Sequence, residues 1–455
     1  MGNIKVFIDF GSTFTKMVAI DLDGEELVGR VQVPSTVDTD INIGLDDAFS
    51  MLDQQVGIGE SERASAVACS SAAGGLRVIC VGLVRDFTTE AARMAALGAG
   101  AKIVGTYSYE LSSTEIAEIE EIAPDIVLLT GGTEGGNKKV ISHNAKCLAS
   151  AGKGVSHVIV AGNKAAYGDI ADIFCNSGKN VIYTNNVMPE IGTVDVVPAN
   201  RNIRDLFIKR ITEAKGISRV KARINDVIMP TPSAVLAAAV LMADGLPESP
   251  GFGELILVDV GGATTDVYSI AQGIPTKSGV TMVGLPEPYA KRTVEGDLGL
   301  VFNLDRLNEI GMTECVPFEI DKGALKVHDI GRIPKGSEEE SHVWLSYLAV
   351  KTAVERHVGR IEVKMYPNGD MFTQKGKDLS HVKRVVGAGG PVVFSQNPRQ
   401  VLAGSIQQDT SPSLLKPKTA EFMLDRSYIM FALGLLAQSE PAKALSLMKK
   451  YIVSA

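Results

Sequence analysis

Apolar and polar positions divide the chain into segments of different rhythm. The run NIKVFIDF and, after a Gly-Ser-Thr turn, the run KMVAIDL both predict short strands. DGEELVGRVQV predicts a third, because Asp-Gly favours the hairpin turn that returns the chain beside it. Residues 45–56 carry apolar positions at helical spacing. From Ala64 the rhythm changes. SAVACSSAAGG and RVICVGL read as strands, TTEAARMAALGAG as a helix, AKIVGTYS as a strand, and SSTEIAEIEEIA as a helix with Ser113 or Thr114 as N-cap. PDIVLLTGG, VSHVIVAG and NVIYTNN then alternate with the helices KKVISHNAKCLAS and DIADIFCNS. Such alternation predicts a parallel sheet with helices packed on its faces. This block, 75–198, is expected to form a separate domain inserted between 1–74 and 199–455.

Beyond it, NIRDLFIKRITEA predicts a helix, and an Ala-rich helix begins near Thr231-Pro232-Ser233. Pro250-Gly251-Phe252-Gly253 breaks the chain before a second core strand, ELILVDVGG. Residues 299–341 give weak signals, and the polar run 407–413 reads as a loop. VWLSYLAVKTAVERHVGRIEV predicts one helix, and RVVGAGGPVVF a strand entering a glycine turn and helix. No short repeat period is visible; one unit, strand-Asp-Gly, occurs twice.

Length and composition narrow the function classes. A chain of 455 residues implies two or three domains, and 45% hydrophobic with 22% charged residues describes an ordinary globular protein. A net charge of -8 argues against a chain-wide nucleic-acid footprint. No apolar run is long enough for a bilayer, and no signal peptide opens the sequence, so no membrane role is expected. Cys69, Cys80, Cys147, Cys175 and Cys315 are odd in number, form no C-x-x-C pair and fit a reduced cytoplasm, with Cys147 and Cys175 reading as buried structural thiols. The six histidines show no metal-ligand spacing, and Trp344 reads as core.

The repeated unit carries the chemistry. IDFGSTFTK at 8–16 and VDVGGATTD at 258–266 each bring an Asp to a strand end, skip one residue, and turn through glycine into hydroxyl residues. Glycine lets backbone N–H groups approach a ligand closely, and these with Ser or Thr hydroxyls form an anion cradle. An aspartate beside the cradle can hold Mg²⁺, usually through water. One copy is as well explained by a plain strand-turn-strand; two copies with the same internal order favour a polyphosphate gripped from both sides.

The pair resembles the two phosphate motifs of the actin, sugar-kinase and Hsp70 ATPase superfamily. VVGAGGP at 385–391 is similar to its adenosine motif, PTPSAVLAAAV at 230–240 to its first connecting helix, and IMFALGLLA at 429–437 to its second. The resemblance implies an α/β, two-lobed actin-like (ribonuclease H-like) ATPase fold binding ATP or ADP with Mg²⁺. It implies that Asp9 and Asp259 are the Mg²⁺-side and catalytic carboxylates, the metal being held through water. Gly11, Ser12, Thr13 and Lys16, with Gly261, Gly262, Thr264 and Thr265, would face the phosphates, and Gly387, Gly389 and Gly390 the nucleoside. One departure bears on turnover. Hsp70 chaperones have a Glu just before the Pro of the first connecting helix, whereas this chain reads Met229-Pro230-Thr231-Pro232. Weak hydrolysis is expected, with Asp9 or Asp259 positioning the water.

The insert is doubly wound α/β and, over 81–132, resembles the cobalamin-binding domain of cobalamin-dependent mutases and methionine synthase. Asp86 stands at the Asp of that family's Asp-x-His-x-x-Gly loop, Thr88 replaces the His and Ala91 the Gly. Thr130-Gly131-Gly132 and VIVAGN at 158–163 match its later strand ends. Loss of the His implies a domain of cobalamin-binding shape without the lower ligand to cobalt. A generic doubly wound insert is the alternative.

Over most of its length, through IDFGSTFTK, SSAAGGL at 70–76, LLTGGTEGGN and VDVGGATTDVYS, the chain resembles the GlmL or MutL-type accessory proteins of adenosylcobalamin-dependent glutamate mutase. That likeness implies an ATP-dependent reactivating chaperone that removes damaged cobalamin, with mutase subunits as partners; a homo-oligomer is left open. A small-molecule kinase is the main rival, with Glu134, Asn137 and Lys138 as a candidate acceptor cluster. An ATPase activator carrying an iron–sulfur cluster is a third reading, for which the placing of Cys147 and Cys175 in amphipathic helices is unsuited.

Overall fold

The computed structural model describes residues 3–36, 39–71, 76–213, 220, 223–313, 337–365, 370–408 and 413–455. Positions 72–75 of the SSAAGGL motif, Cys315, His328, most of the weakly patterned 299–341 stretch and loop residues 409–412 lie outside the described residues.

The opening hairpin forms as its pattern predicts. Ile4–Phe10 and Phe14–Asp21 pair antiparallel, with Asp9 directly opposite Lys16, and Glu26–Pro34 pairs antiparallel on the far side. Val67–Ser70 and then Asp226–Pro230 add on the other edge of Ile4–Phe10 as parallel strands. Numbered by appearance in the chain, the sheet reads 3-2-1-4-5.

The second sheet repeats that order. Leu255–Val260 pairs antiparallel with Thr265–Ile270, which pairs antiparallel with Ala290–Glu295. Arg384–Ala388 and Glu421–Asp425 follow in parallel on the other side, and Ile452–Ser454 closes the edge antiparallel. Two mixed sheets of order 3-2-1-4-5, each opening on an Asp-Gly hairpin, make this a two-lobed actin-like α/β fold. Between the sheets cross the helices Thr231–Asp244 and Met430–Leu436, in one apolar cluster drawing on both. Gly434 is required there: a Cβ on it would lie 1.9 Å from the Ala234 carbonyl oxygen.

A third sheet, all parallel, has the order Lys102–Ser108, Arg77–Gly82, Ile126–Leu129, His157–Val160, Asn180–Tyr183, or 2-1-3-4-5. One face has its own core, including Ile79, Val127, Leu148 and Ile170. The other face is shared. Val78, Cys80, Ile126, Leu128, Ile159 and Ala161 join the cluster that holds Val6, Ile8 and Phe10 of the first sheet, through Ile203 and Phe207 of the Val197–Glu213 helix.

Several local expectations need correcting. The helix Ser113–Ile122 is capped by Ser112, not by Ser113 or Thr114; the Ser112 hydroxyl accepts from Glu115 N while the Glu115 carboxylate accepts from Ser112 N. The long helix ends at His357, and GRIEV becomes the strand Arg360–Lys364, because Gly359 packs against the backbone of Gly376. Trp344 is half-buried, edge-on to Tyr347, and not in the core. Cys175, expected to be buried, is exposed at the end of the helix Tyr167–Phe174. Asp226–Pro230 was not legible as a strand, having only DVIMP to announce it.

Candidate active site

Both hairpins close with the same bond. Gly11 N donates to Phe14 O at 3.0 Å, and Gly261 N donates to Thr264 O at 2.9 Å. The turns face each other: a Cβ built on Gly262 would be 3.7 Å from the Thr13 hydroxyl. Between them lies a cavity of about 680 Å³ lined by Asp9, Gly11, Ser12, Thr13 and Lys16 from one lobe and Asp259, Gly261, Gly262 and Thr264 from the other. Gly390 lines it as well, together with Glu339, His342 and Val343 of the Ser337–His357 helix.

Asp9 is held tightly. Its Oδ2 accepts from Lys16 Nζ at 3.0 Å and its Oδ1 from the Thr231 hydroxyl at 2.6 Å, with the Cys69 thiol 3.8 Å away. Thr231 opens the first crossing helix, two residues from Met229, where the Hsp70 acid is missing. Burial alone would lower the Lys16 ammonium, but Tyr428, Asp9 and Asp259 outweigh it and hold the group charged, above the usual lysine range. Asp266 stands opposite Asp259, at the register position Lys16 occupies opposite Asp9. Arg292 neutralises it, with Nε 2.8 Å from its Oδ1.

The family model described as "MutL protein" matches residues 5–452. "Protein MutL" of Clostridium tetanomorphum is 43% identical over 457 residues, covering 98% of this chain and 99% of that one.

The chain belongs to the MutL protein family.

Among solved structures, the ethanolamine utilization protein EutJ from Carboxydothermus hydrogenoformans aligns at 11% identity and a TM-score of 0.29, over 98% of this chain and 90% of its own. Xylulose kinase from Bifidobacterium adolescentis aligns at 12% and 0.30, over 99% and 94%. Likenesses this weak add nothing to the two strand orders, which carry the fold.

In this MutL-family chain, Mg²⁺ fits the donor set at one carboxylate in particular. No hydrogen bond holds Asp259 among the described residues, and burial, with Asp266 and Asp9 nearby, pushes its carboxyl up to about 7 against the pull of Lys16. A cation there would relieve that acid cluster, whereas both Asp9 oxygens are already engaged and leave Asp9 to act through water. Among the described residues no three His, Cys, Asp or Glu side chains are grouped as a metal cage. A site of few protein ligands is how Mg²⁺ is ordinarily held.

Three of the residues named from sequence stand away from the cavity wall. Thr265 is fully buried, its hydroxyl donating to Leu298 O at 2.7 Å, so it serves its own strand and not a phosphate. Gly387 packs on Val392 and Leu402. Gly389, at φ +84°, forms the bend behind Asp259: a Cβ would lie 2.1 Å from Val260 O and 2.7 Å from the Asp259 carboxylate. Lining residues the sequence did not reveal include Thr231, Asp266, Arg292, Tyr428, Gly100 and Lys102. Asp266 alone had a signal, since it sits in the second hairpin at the offset of Lys16 in the first.

The insert's strand ends are plugged from within. The Thr88 hydroxyl accepts from Leu83 N at 2.8 Å and Val84 N at 3.0 Å, and the Thr130 hydroxyl donates to Val81 O and Thr88 O. Glu134, Asn137 and Lys138 are absent from the cavity lining; Glu134 pairs with Lys164 and Lys138 with Asp169.

Proposed function

We propose that the chain is a cytoplasmic ATP-binding and slowly hydrolysing chaperone that reactivates an adenosylcobalamin-dependent mutase by promoting release of damaged cobalamin. Family membership and the two facing hairpins support the ATP half of this reading. The observation that carries the chaperone half is the insert. Its parallel 2-1-3-4-5 sheet has the order in which ligands sit at strand ends, yet Thr88 stands where a cobalt-ligating His would and spends its hydroxyl on its own loop. Such a domain offers the outline of a cobalamin-carrying subunit without the imidazole to hold cobalt, and so can compete for the mutase's catalytic subunit.

In the ATPase, backbone N–H groups and hydroxyls of the two turns bind phosphate, and Lys16 adds a fixed positive charge. Bound Mg²⁺ supplies charge neutralisation at the phosphates. Asp259 would hold the cation through its water shell, while Asp9, held as an oriented carboxylate by Lys16 and Thr231, would position the attacking water. ATP then changes the lobe angle, and the insert with it, only as far as the two lobe positions differ in affinity for ATP.

The test is direct. A mutase inactivated with hydroxocobalamin is incubated with the chain, Mg·ATP and fresh adenosylcobalamin. Recovery of activity with release of the hydroxocobalamin absorbance, dependent on ATP, is expected. ATP hydrolysis that ignores every mutase subunit but rises with a sugar or carboxylate would instead establish the kinase reading.

A further inference from the structure

The insert does not merely sit beside the nucleotide cavity; it forms part of the wall. Gly100 and Lys102, which follow the helix Glu90–Gly98, line the cavity with the two hairpins. The Lys102 ammonium reaches the second lobe, where it lies 3.3 Å from a Cβ built on Gly296. Among the described residues no carboxylate pairs with it. Lys16, the other lysine of this wall, is by contrast already tied to Asp9.

The same segment is bolted to both lobes. A helix C-terminus leaves carbonyls without partners and favours cations nearby. Here Arg292 donates to Leu97 O at 3.3 Å and Ala101 O at 3.2 Å, Arg204 donates to Gly98 O at 3.1 Å, and the Ser233 hydroxyl donates to Ala99 O at 3.2 Å. Arg292 is the residue that also holds Asp266 of the cavity. The far end of this helix continues from the π-helical turn Arg85–Thr89, the turn that carries Asp86 and Thr88 at the insert's strand ends. One helix therefore runs from the cavity wall at its C-terminus to the 85–89 turn at its N-terminus, where Asp86 pairs with Lys375 Nζ at 3.1 Å.

We propose that Lys102 is a nucleotide-phosphate contact contributed by the insert, and that Lys102 and the Arg292 strut carry ATP occupancy along the Glu90–Gly98 helix to the 85–89 turn. This rests on the reading of the cavity as an ATP site. The contact pulls the helix end toward bound phosphate, and the rigid carbonyl bonds of Arg292 make the lobes and the insert move together.

The experiment uses the full chain, titrated with Mg·ATP and the non-hydrolysable Mg·AMP-PNP, with amide hydrogen exchange followed over 85–102. Lys102→Gln is expected to weaken Mg·ATP binding about 10-fold, the scale of one charge-assisted hydrogen bond, and to abolish the ATP-dependent change in exchange at 85–102. Lys102→Arg is expected to restore both. Wild-type affinity in Lys102→Gln, or exchange at 85–102 that ignores ATP in the wild type, overturns the proposal while leaving the ATP site intact. Failure of the wild type to bind Mg·ATP at all overturns the site and the proposal together.

Discussion

Two acids at equivalent register positions are held differently because their neighbours differ. Asp9 has Lys16 and Thr231, so both oxygens are satisfied; Asp259 faces Asp266 and has no such partner. Asp259→Asn is therefore expected to lower ATP turnover about 10- to 100-fold and to raise the Mg²⁺ concentration that turnover needs, as loss of a carboxylate that orients a metal's water shell does; phosphate release followed against Mg²⁺ concentration reads both. A second titrating group lies outside the cavity lining. Lys377 is buried among the carbonyls of Ser269, Pro288 and Tyr289, and burial, with Lys291 nearby, lowers its ammonium to about 7. Below that pH it is charged folded and unfolded alike. From about 7 up to 10.5 the unfolded chain binds the extra proton, so stability rises with pH. Denaturant unfolding at pH 7.5 and 9.5 is expected to show that rise in the wild type and a smaller one in Lys377→Met.

At the scale of elements, the crossing of the Thr231–Asp244 and Met430–Leu436 helices depends on one missing side chain. Gly434→Ala would already force its Cβ into the Ala234 carbonyl, and is expected to destabilise by about 1–3 kcal/mol, as overpacking of a tight contact does, with Gly434→Val worse; the thermal midpoint reads both. The resemblance of IMFALGLLA to a connecting helix implied that crossing. The hairpins were equally plain, since strand, Asp and glycine fall at fixed offsets. Less legible were elements defined by distant partners. DVIMP is a strand only because Val67–Ser70 lies beside it, and GRIEV leaves the helical pattern because Gly359 meets Gly376. Ser112 rather than Ser113 or Thr114 caps its helix because Glu115 stands three residues on and can complete the reciprocal pair.

For the whole molecule, the insert shares a core with the first lobe. Expressed alone, residues 75–198 would expose Val78, Cys80, Ile126, Leu128, Ile159 and Ala161. The isolated segment is expected to bind hydrophobic dyes and to lose cooperative unfolding, both of which the full chain should lack. Competition for a mutase subunit is accordingly a property to measure on the intact chain. Among the described residues no helix is long and apolar enough to cross a membrane.

What the sequence determined by itself was local and repeated: two strand-Asp-Gly turns, a glycine turn after the strand Arg384–Ala388, and an alternation that predicts a parallel sheet. These follow from short-range sterics and periodicity, which act within a few residues. What only the tertiary structure decided was which side chains the cavity receives. Thr265, directly after the second hairpin turn, is buried with its hydroxyl on Leu298 O, while Lys102, Thr231 and Arg292 reach the cavity from segments far apart in the chain. The pairing of sheets and the packing of the insert against both lobes brought them there, and no spacing along the chain encodes a distance across it.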